Sequence, residues 1–473
     1  MTHPPVTLLW LRRDLRLSDH PALTAACAQG GPVIPVFIRD EHVDTLGAAP
    51  KFRLELALEH FADQLAKIGS RLVLRSGPAA EVLADLIQET GADAVFWTRN
   101  YDPAFGARDK AVKAALRSRG ISVRDFDGQL LFEPETVQTG QGGPYRVYTP
   151  YWKAVRDRDV PAPLPAPKAI PAPDQWPMTE TLAEWRLSAA MNRGAAILRP
   201  YQRVGEAAAQ FRLAQFGATA MDQYKCNRDR LAEDATSGLS QNLALGEISA
   251  RQCWAAAQDL WRQRSEGAET FLKEVVWREF AYHLAHHTPH MLTENWREGW
   301  DRFPWQTDPN APEVIAWKQG RTGIAVIDAA MREMYVTGQM HNRARMVVAS
   351  FLTKHLMTHW RIGQDWFADC LTDWDPASNA MGWQWVAGSG PDAAPFFRIF
   401  NPMTQAKTHD PQGQYVQKWL AEGQKSPPET ALAYFDAVPR SWHLSPSDPP
   451  SAPIVALADG RKRALSAYET RDF

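Results

Sequence analysis

Four segments of the sequence bring together side chains whose types and spacing can do chemistry. Thr236-Ser237-Gly238-Leu239-Ser240 sets hydroxyls and a glycine ahead of a helical-looking stretch over 248–260. Consecutive backbone N–H groups in such a turn can make an anion nest for a phosphate or pyrophosphate. The same residues also suit an ordinary helix cap. In the second segment, Glu274, Trp277 and Arg278 stand at i, i+3 and i+4 and share one face of a helix. An acceptor, a stacking plane and a cation on one face are what an extruded base needs, and they also describe an ion pair beside a packed tryptophan.

The third segment, His341-Asn342-Arg343-Ala344-Arg345-Met346, follows Gly338 and is expected to open a helix running to Trp360. Asn342, Arg345 and Met346 then share a face. An inward Arg345 needs a carboxylate, which Asp373 or Asp375 can supply. Arg343 points elsewhere, either free for a phosphate or part of a surface charge cluster. The fourth segment runs from Asp373 and Asp375 through Asn379 to Gly382-Trp383-Gln384-Trp385. Carboxylates two residues apart can bind a metal, but the spacing completes no EF-hand loop and no histidine adjoins, so no metal is expected there. His283, His286, His287 and His290 have helical ligand spacing, yet Pro289 interrupts it; they are expected to form a polar helix end, with zinc as the alternative.

The elements that must position these groups fall into two kinds. Short β-branched runs at 6–11, 33–38, 71–74, 94–98 and 122–126 alternate with amphipathic stretches near 51–68, 79–90 and 104–119. That alternation predicts an α/β domain, a parallel Rossmann-like sheet covered by helices, over 1–130. Its first strand leads into Arg12-Arg13-Asp14 rather than G-x-G-x-x-G, so the ordinary dinucleotide turn is missing. A stiff proline-rich connector spans 131–200. An all-α domain follows over 201–473, with long helices expected at 269–287 and 323–336 and a last one at 456–468.

The chain has 473 residues, 45% hydrophobic and 22% charged, as in a globular protein with a large core. A formal net charge of −2 excludes nucleic-acid binding through bulk positive charge, so any DNA affinity must come from a local patch. No run of 18 apolar residues and no export signal is seen, which predicts a cytoplasmic protein without a membrane span. Cys27, Cys226, Cys253 and Cys370 form no CxxC pair and are expected to be plain core residues. The 19 tryptophans, most in the second half, suit heavy packing or a redox or stacking site.

Taken in order, Leu9-Trp10-Leu11-Arg12-Arg13-Asp14-Leu15-Arg16, Tyr148-Thr149-Pro150-Tyr151-Trp152, Trp277-Arg278-Glu279-Phe280, Met340-His341-Asn342-Arg343, Gly382-Trp383-Gln384-Trp385 and Phe397-Arg398-Ile399-Phe400-Asn401-Pro402 resemble the photolyase/cryptochrome family. The resemblance spans almost the whole chain. It implies an all-α FAD-binding domain behind an α/β antenna domain. Tyr224 and Thr236, Ser237, Gly238, Leu239 and Ser240 would then hold the pyrophosphate. Arg345 and Asp373 would pair near the flavin, with Asp375 at the ribose or ring edge and Asn379 at N5.

Glu274, Trp277, Arg278, Asn342, Arg343, Met346 and Trp385 would contact a cyclobutane pyrimidine dimer extruded from UV-damaged DNA, Glu274 also taking part in catalysis. Trp383, Trp360 and Trp305 would relay electrons from the surface to an oxidised flavin. The implied activity is blue-light-driven dimer repair by a monomer, assisted by a second antenna chromophore of folate or deazaflavin type near Asn100-Tyr101-Asp102. Asn342-Arg343 after a single His341 matches the dimer-repair branch, whereas the (6-4) branch resembles a paired-His pattern there. A cryptochrome, a light sensor without repair, is the alternative. Gln339, Ala380-Met381 and Ile324-Ala325 depart from the family pattern.

Overall fold

The computed structural model describes residues 4–394 and 396–473. Five strands, β1 (Thr7–Leu11), β2 (Val33–Arg39), β3 (Val73–Ser76), β4 (Ala94–Thr98) and β5 (Ser122–Phe126), form one parallel sheet in the order β3-β2-β1-β4-β5. The central strand β1 is buried along its whole length because helices cover both faces of the sheet. Leu9, Leu11 and Phe37 pack with the helices Pro21–Cys27 and Ala48–Lys67 on one side. Leu8, Trp10 and Val36 pack with Ala79–Thr90 and Pro103–Arg117 on the other. The five strands and three of the helices lie within a few residues of where the residue pattern puts them, β3 beginning two residues later than expected, and the short helix Pro21–Cys27 is an addition.

The connector is pinned down along its course. Asp19 N–H donates to Leu164 O, Val33 N–H to Pro171 O and Leu74 N–H to the Thr179 hydroxyl, so the prolines run extended across one edge of the sheet. A helix that the fading periodicity concealed, Tyr148–Val155, buries Tyr148, Tyr151 and Trp152 against the second half.

The second half is helical, with two apolar cores. One gathers Phe216, Tyr224, Trp254, Phe271 and Phe280; the other gathers Trp317, Val348, Trp360, Phe367 and Tyr434. The helix Pro376–Ala387 lies between them, giving Ala377 and Ala380 to the first and Trp383 and Val386 to the second. A helix with a core on each side has no polar face, and this one carries no charged residue. Among the described residues no helix is long and apolar enough to cross a membrane.

Three expectations fail. The helix opened by His341 does not reach Trp360: Asn342–Ser350 gives way to a wide turn at Phe351–His355, and Trp360 starts a new helix, Trp360–Cys370. The Thr353 hydroxyl donates to Ala349 O, a back-bond that bends helices, and Met357 at φ 56° completes the break. Ser240 starts its own short helix, Ser240–Leu245, ended by Gly246 at φ 69°. The longer helix Ala250–Arg262 follows separately, with Ser249 and Gln252 forming a capping box. Of the cysteines, Cys253 and Cys370 are core residues, Cys27 is half-buried and Cys226 is exposed.

Candidate active site

The hydroxyl-rich segment builds a shaped turn. Gly238 sits at φ 60°, a left-handed conformation that favours glycine, and a Cβ there would come within 2.8 Å of the mobile end of Arg203. Arg212 donates to Ser237 O at 2.8 Å and to Thr236 O at 2.5 Å while pairing with Asp234 at 2.6 Å. The turn is thus clamped from behind, and Thr236, Ser237, Gly238, Leu239 and Ser240 face an open cavity of about 610 Å³. It adjoins a second cavity of about 500 Å³ through the shared residues Tyr224, Ser237, Ser240, Asn342, Arg345 and Asp373.

Between the two cavities Arg345 meets its carboxylate. Arg345 Nη2 lies 2.7 Å from Asp373 Oδ2, with Nε donating to Met340 O at 2.8 Å. Asp373 is almost fully buried, and its other oxygen has no hydrogen-bond partner among the described residues. Asp375, two positions on, faces a different set. Tyr282 Oη donates to its Oδ2 at 2.6 Å, Arg13 reaches the same oxygen at 3.2 Å, and Oδ1 accepts from Ser378 N–H at 2.9 Å. Burial works to raise the Asp375 carboxyl. The charges of Arg13 and Arg278 and the Tyr282 hydrogen bond outweigh it, leaving the group below its usual range. The two carboxylates are therefore committed to different cations. Asn379 donates to Asp375 O at 2.9 Å one helical turn on, and it borders the cavity.

Across the cavity stands the helix Glu266–His287. Trp277 stacks flat on Tyr148, ring centroids 3.6 Å apart and planes 6° apart. Glu274 pairs with Arg228, and Arg278 donates to Gln129 O at 2.9 Å. All three expected residues of this face line the cavity, together with Asn342, Met346 and Trp385. Arg343 does not join them. It pairs with Asp229 at 2.5 Å, because the short helix Tyr224–Asn227 delivers that carboxylate beside it, and it lies outside the cavity lining. The histidines finish this helix: His283 Nε2 accepts from Tyr145 N–H at 3.0 Å and His287 contacts Pro134 O. Arg13, Arg228 and Tyr148 escaped the sequence reading as members of this site. Only the unusual Arg12-Arg13 after β1 hinted at one of them.

Trp383 packs edge-on against Phe367 at 4.9 Å and lies over Gly363, where a Cβ would come within 2.1 Å of its ring. Trp360, one turn before Gly363, donates its indole N–H to Asn295 at 2.8 Å. His359 lies in ring contact with both Trp360 at 5.5 Å and Trp305 at 5.8 Å. The three expected tryptophans thus lie along the start of one helix.

Two further hollows open on the α/β half. One of about 330 Å³ at the strand ends is lined by Arg13, Phe37, Phe105, Arg108 and Trp374. A cleft of about 550 Å³ includes Asn100, Tyr101 and Asp102.

A clamped nest, a carboxylate with an unused oxygen and an apolar hollow describe a site for a flavin nucleotide. The fit has a second sign: a Cβ added to Gly382, on the cavity wall, would meet nothing within 4 Å. A two-domain protein with a parallel sheet and an internal flavin-sized cavity is the class defined by this architecture. The family model described as DNA photolyase matches residues 7–169, and that for the FAD binding domain of DNA photolyase matches 271–470. The chain belongs to the DNA photolyase family.

It is 47% identical over 468 residues to a deoxyribodipyrimidine photo-lyase of Agrobacterium fabrum (strain C58 / ATCC 33970), covering 98% of this chain and 97% of the relative. A crystal structure of a bacterial class III photolyase from Agrobacterium tumefaciens superposes with a TM-score of 0.91 at 45% identity, over 99% of this chain and 98% of that one. An archaeal photolyase from Sulfolobus tokodaii, solved with two FAD molecules, gives a TM-score of 0.80 at 27% identity, over 98% and 99%.

Proposed function

We propose that the chain is a light-driven deoxyribodipyrimidine photo-lyase that binds FAD and opens cyclobutane pyrimidine dimers in DNA. The observation that carries this reading is a pair of adjoining cavities with chemically different walls. One wall offers the nest and the Arg345–Asp373 pair; the other offers the Trp277 plane, Trp385 and the Glu274 carboxylate. The first suits a dinucleotide and the second an unstacked pyrimidine pair.

Tyr224 and Thr236 to Ser240 would hold the pyrophosphate, and Asp373, Asp375, Arg345 and Asn379 the ring and ribose. Reduced FAD, when bound, supplies the light-excited electron that opens the dimer and takes it back. The protein's own part is to position and to exclude water. Trp277 stacks on the extruded bases through the ring face that Tyr148 leaves uncovered. Glu274, held by Arg228, accepts a hydrogen bond from a base edge. Asn342, Met346 and Trp385 close the opposite side.

Trp383, Trp360 and Trp305 pass electrons inward to reduce an oxidised cofactor. A second pigment of folate or deazaflavin type would occupy a hollow of the α/β half, and the enzyme would act as a cytoplasmic monomer. Chromophore extraction tests the cofactor: the purified chain should release FAD and show its near-ultraviolet and blue absorption. A colourless chain that takes up no added FAD contradicts the reading.

A further inference from the structure

Arg13 lies just past the end of β1, in the α/β half, yet its guanidinium bonds only to groups of the helical half, two of them on residues that line the flavin cavity. Nε donates to Ala244 O at 2.7 Å, Nη1 to Tyr282 Oη at 3.0 Å and Nη2 to Asp375 Oδ2 at 3.2 Å. Ala244 belongs to the helix that the nest opens, and Asp375 caps the helix that carries Asn379. One side chain therefore ties two cavity walls together. Its neighbours hold it in place: a Cβ on Gly246 would lie 2.0 Å from Arg13 O, and Leu15 N–H donates to Leu245 O. The Arg13 side chain is only 14% exposed and that of Asp375 only 10%. In such a site a carboxylate stripped of its cation keeps its desolvation cost without compensation.

We propose that Arg13 is a positioning residue for the flavin, acting through Asp375, so that the α/β half sets the electrostatic field in the cofactor cavity of the helical half. The proposal rests on the flavin reading above. Arg13 also borders the strand-end hollow, which residues of both halves line. With its positive charge removed, the Asp375 carboxylate keeps Arg278, Tyr282 and Ser378 but loses the cation that touches it. An electron-rich reduced ring is then disfavoured.

The test uses the full-length chain as wild type, R13K, R13Q, D375N and R13Q/D375N. Two quantities are read: the Kd for FAD of the apoprotein, and the midpoint potential of bound FAD by spectroelectrochemistry. R13Q should raise the Kd by roughly tenfold or more, as expected for losing a hydrogen bond to a charged group. It should also shift the midpoint potential to more negative values. R13K should recover most of both. The double variant should differ little from D375N alone, since Asp375 transmits the effect.

Wild-type Kd and potential in R13Q overturn the proposal, as do equal displacement in R13K and R13Q or additive effects in the double variant. A lower melting temperature with an unmoved potential shows a structural tie only and equally overturns it. A wild-type chain that takes up no FAD fails the flavin reading itself.

Discussion

Glu279 allows the tightest prediction. It sits in the helix that carries Glu274, Trp277 and Arg278, and it is 1% exposed. One oxygen accepts from Leu131 N–H at 2.7 Å and Phe132 N–H at 3.2 Å, fastening the connector to that helix. Burial pushes its carboxyl from 4.5 up to about 7, against the opposing pull of Arg278 and the two backbone donors. The folded chain keeps a proton that the unfolded chain has lost. The stabilisation is complete below pH 4.5 and is lost as the pH climbs through about 7. At about 1.4 kcal/mol per tenfold change in equilibrium, the whole window is worth about 3 kcal/mol.

Glu279→Gln keeps an acceptor for Leu131 and Phe132 but cannot titrate. Denaturant unfolding of both proteins at a series of pH values should show their stability difference moving by about 3 kcal/mol in favour of the variant between pH 4.5 and pH 8. A difference that stays flat over that range refutes the reasoning.

Trp277→Ala removes a stacking plane worth about 1 to 3 kcal/mol per base, so the Kd for dimer-containing DNA should rise by roughly tenfold or more while FAD content holds. Unchanged affinity removes Trp277 from the proposed substrate wall. Gly363→Ala forces a methyl to within 2.1 Å of the Trp383 ring, an overpacking cost of about 1 to 3 kcal/mol. The melting temperature should fall and light-driven reduction of oxidised flavin should slow, whereas an unmoved melting temperature contradicts the packing argument. Trp360→Phe should slow that reduction but leave repair by chemically pre-reduced protein intact. Loss of repair in pre-reduced protein contradicts a relay role.

The sheet was legible because its inner parallel strands, buried on both faces, must be short apolar runs; at β4 the observed ends are those expected. The Arg345–Asp373 pair was legible for a different reason: an arginine on an inward helical face demands a carboxylate, which left Asp373 or Asp375, and the family resemblance pointed to Asp373. Arg13 was hidden because its partner Asp375 lies 362 residues away and only the folded topology joins them.

The Arg343–Asp229 pair was hidden because Asp229 stands in a stretch with no periodicity to place it. The Tyr148–Trp277 stack was missed likewise, since Tyr148 comes from a connector helix lost among loop and proline signals. The wide turn at Phe351–His355 depends on a hydroxyl back-bond and one positive φ, neither of which leaves a mark on hydrophobic spacing.

The central claim is that light absorbed by a flavin in this cavity opens a pyrimidine dimer beside it. Reduced, FAD-loaded protein mixed with an oligonucleotide carrying one thymine dimer, then split between blue light and darkness, tests it directly. The account predicts that intact thymines return only in the illuminated half. Dimers that persist under blue light, or that disappear equally in the dark, contradict it.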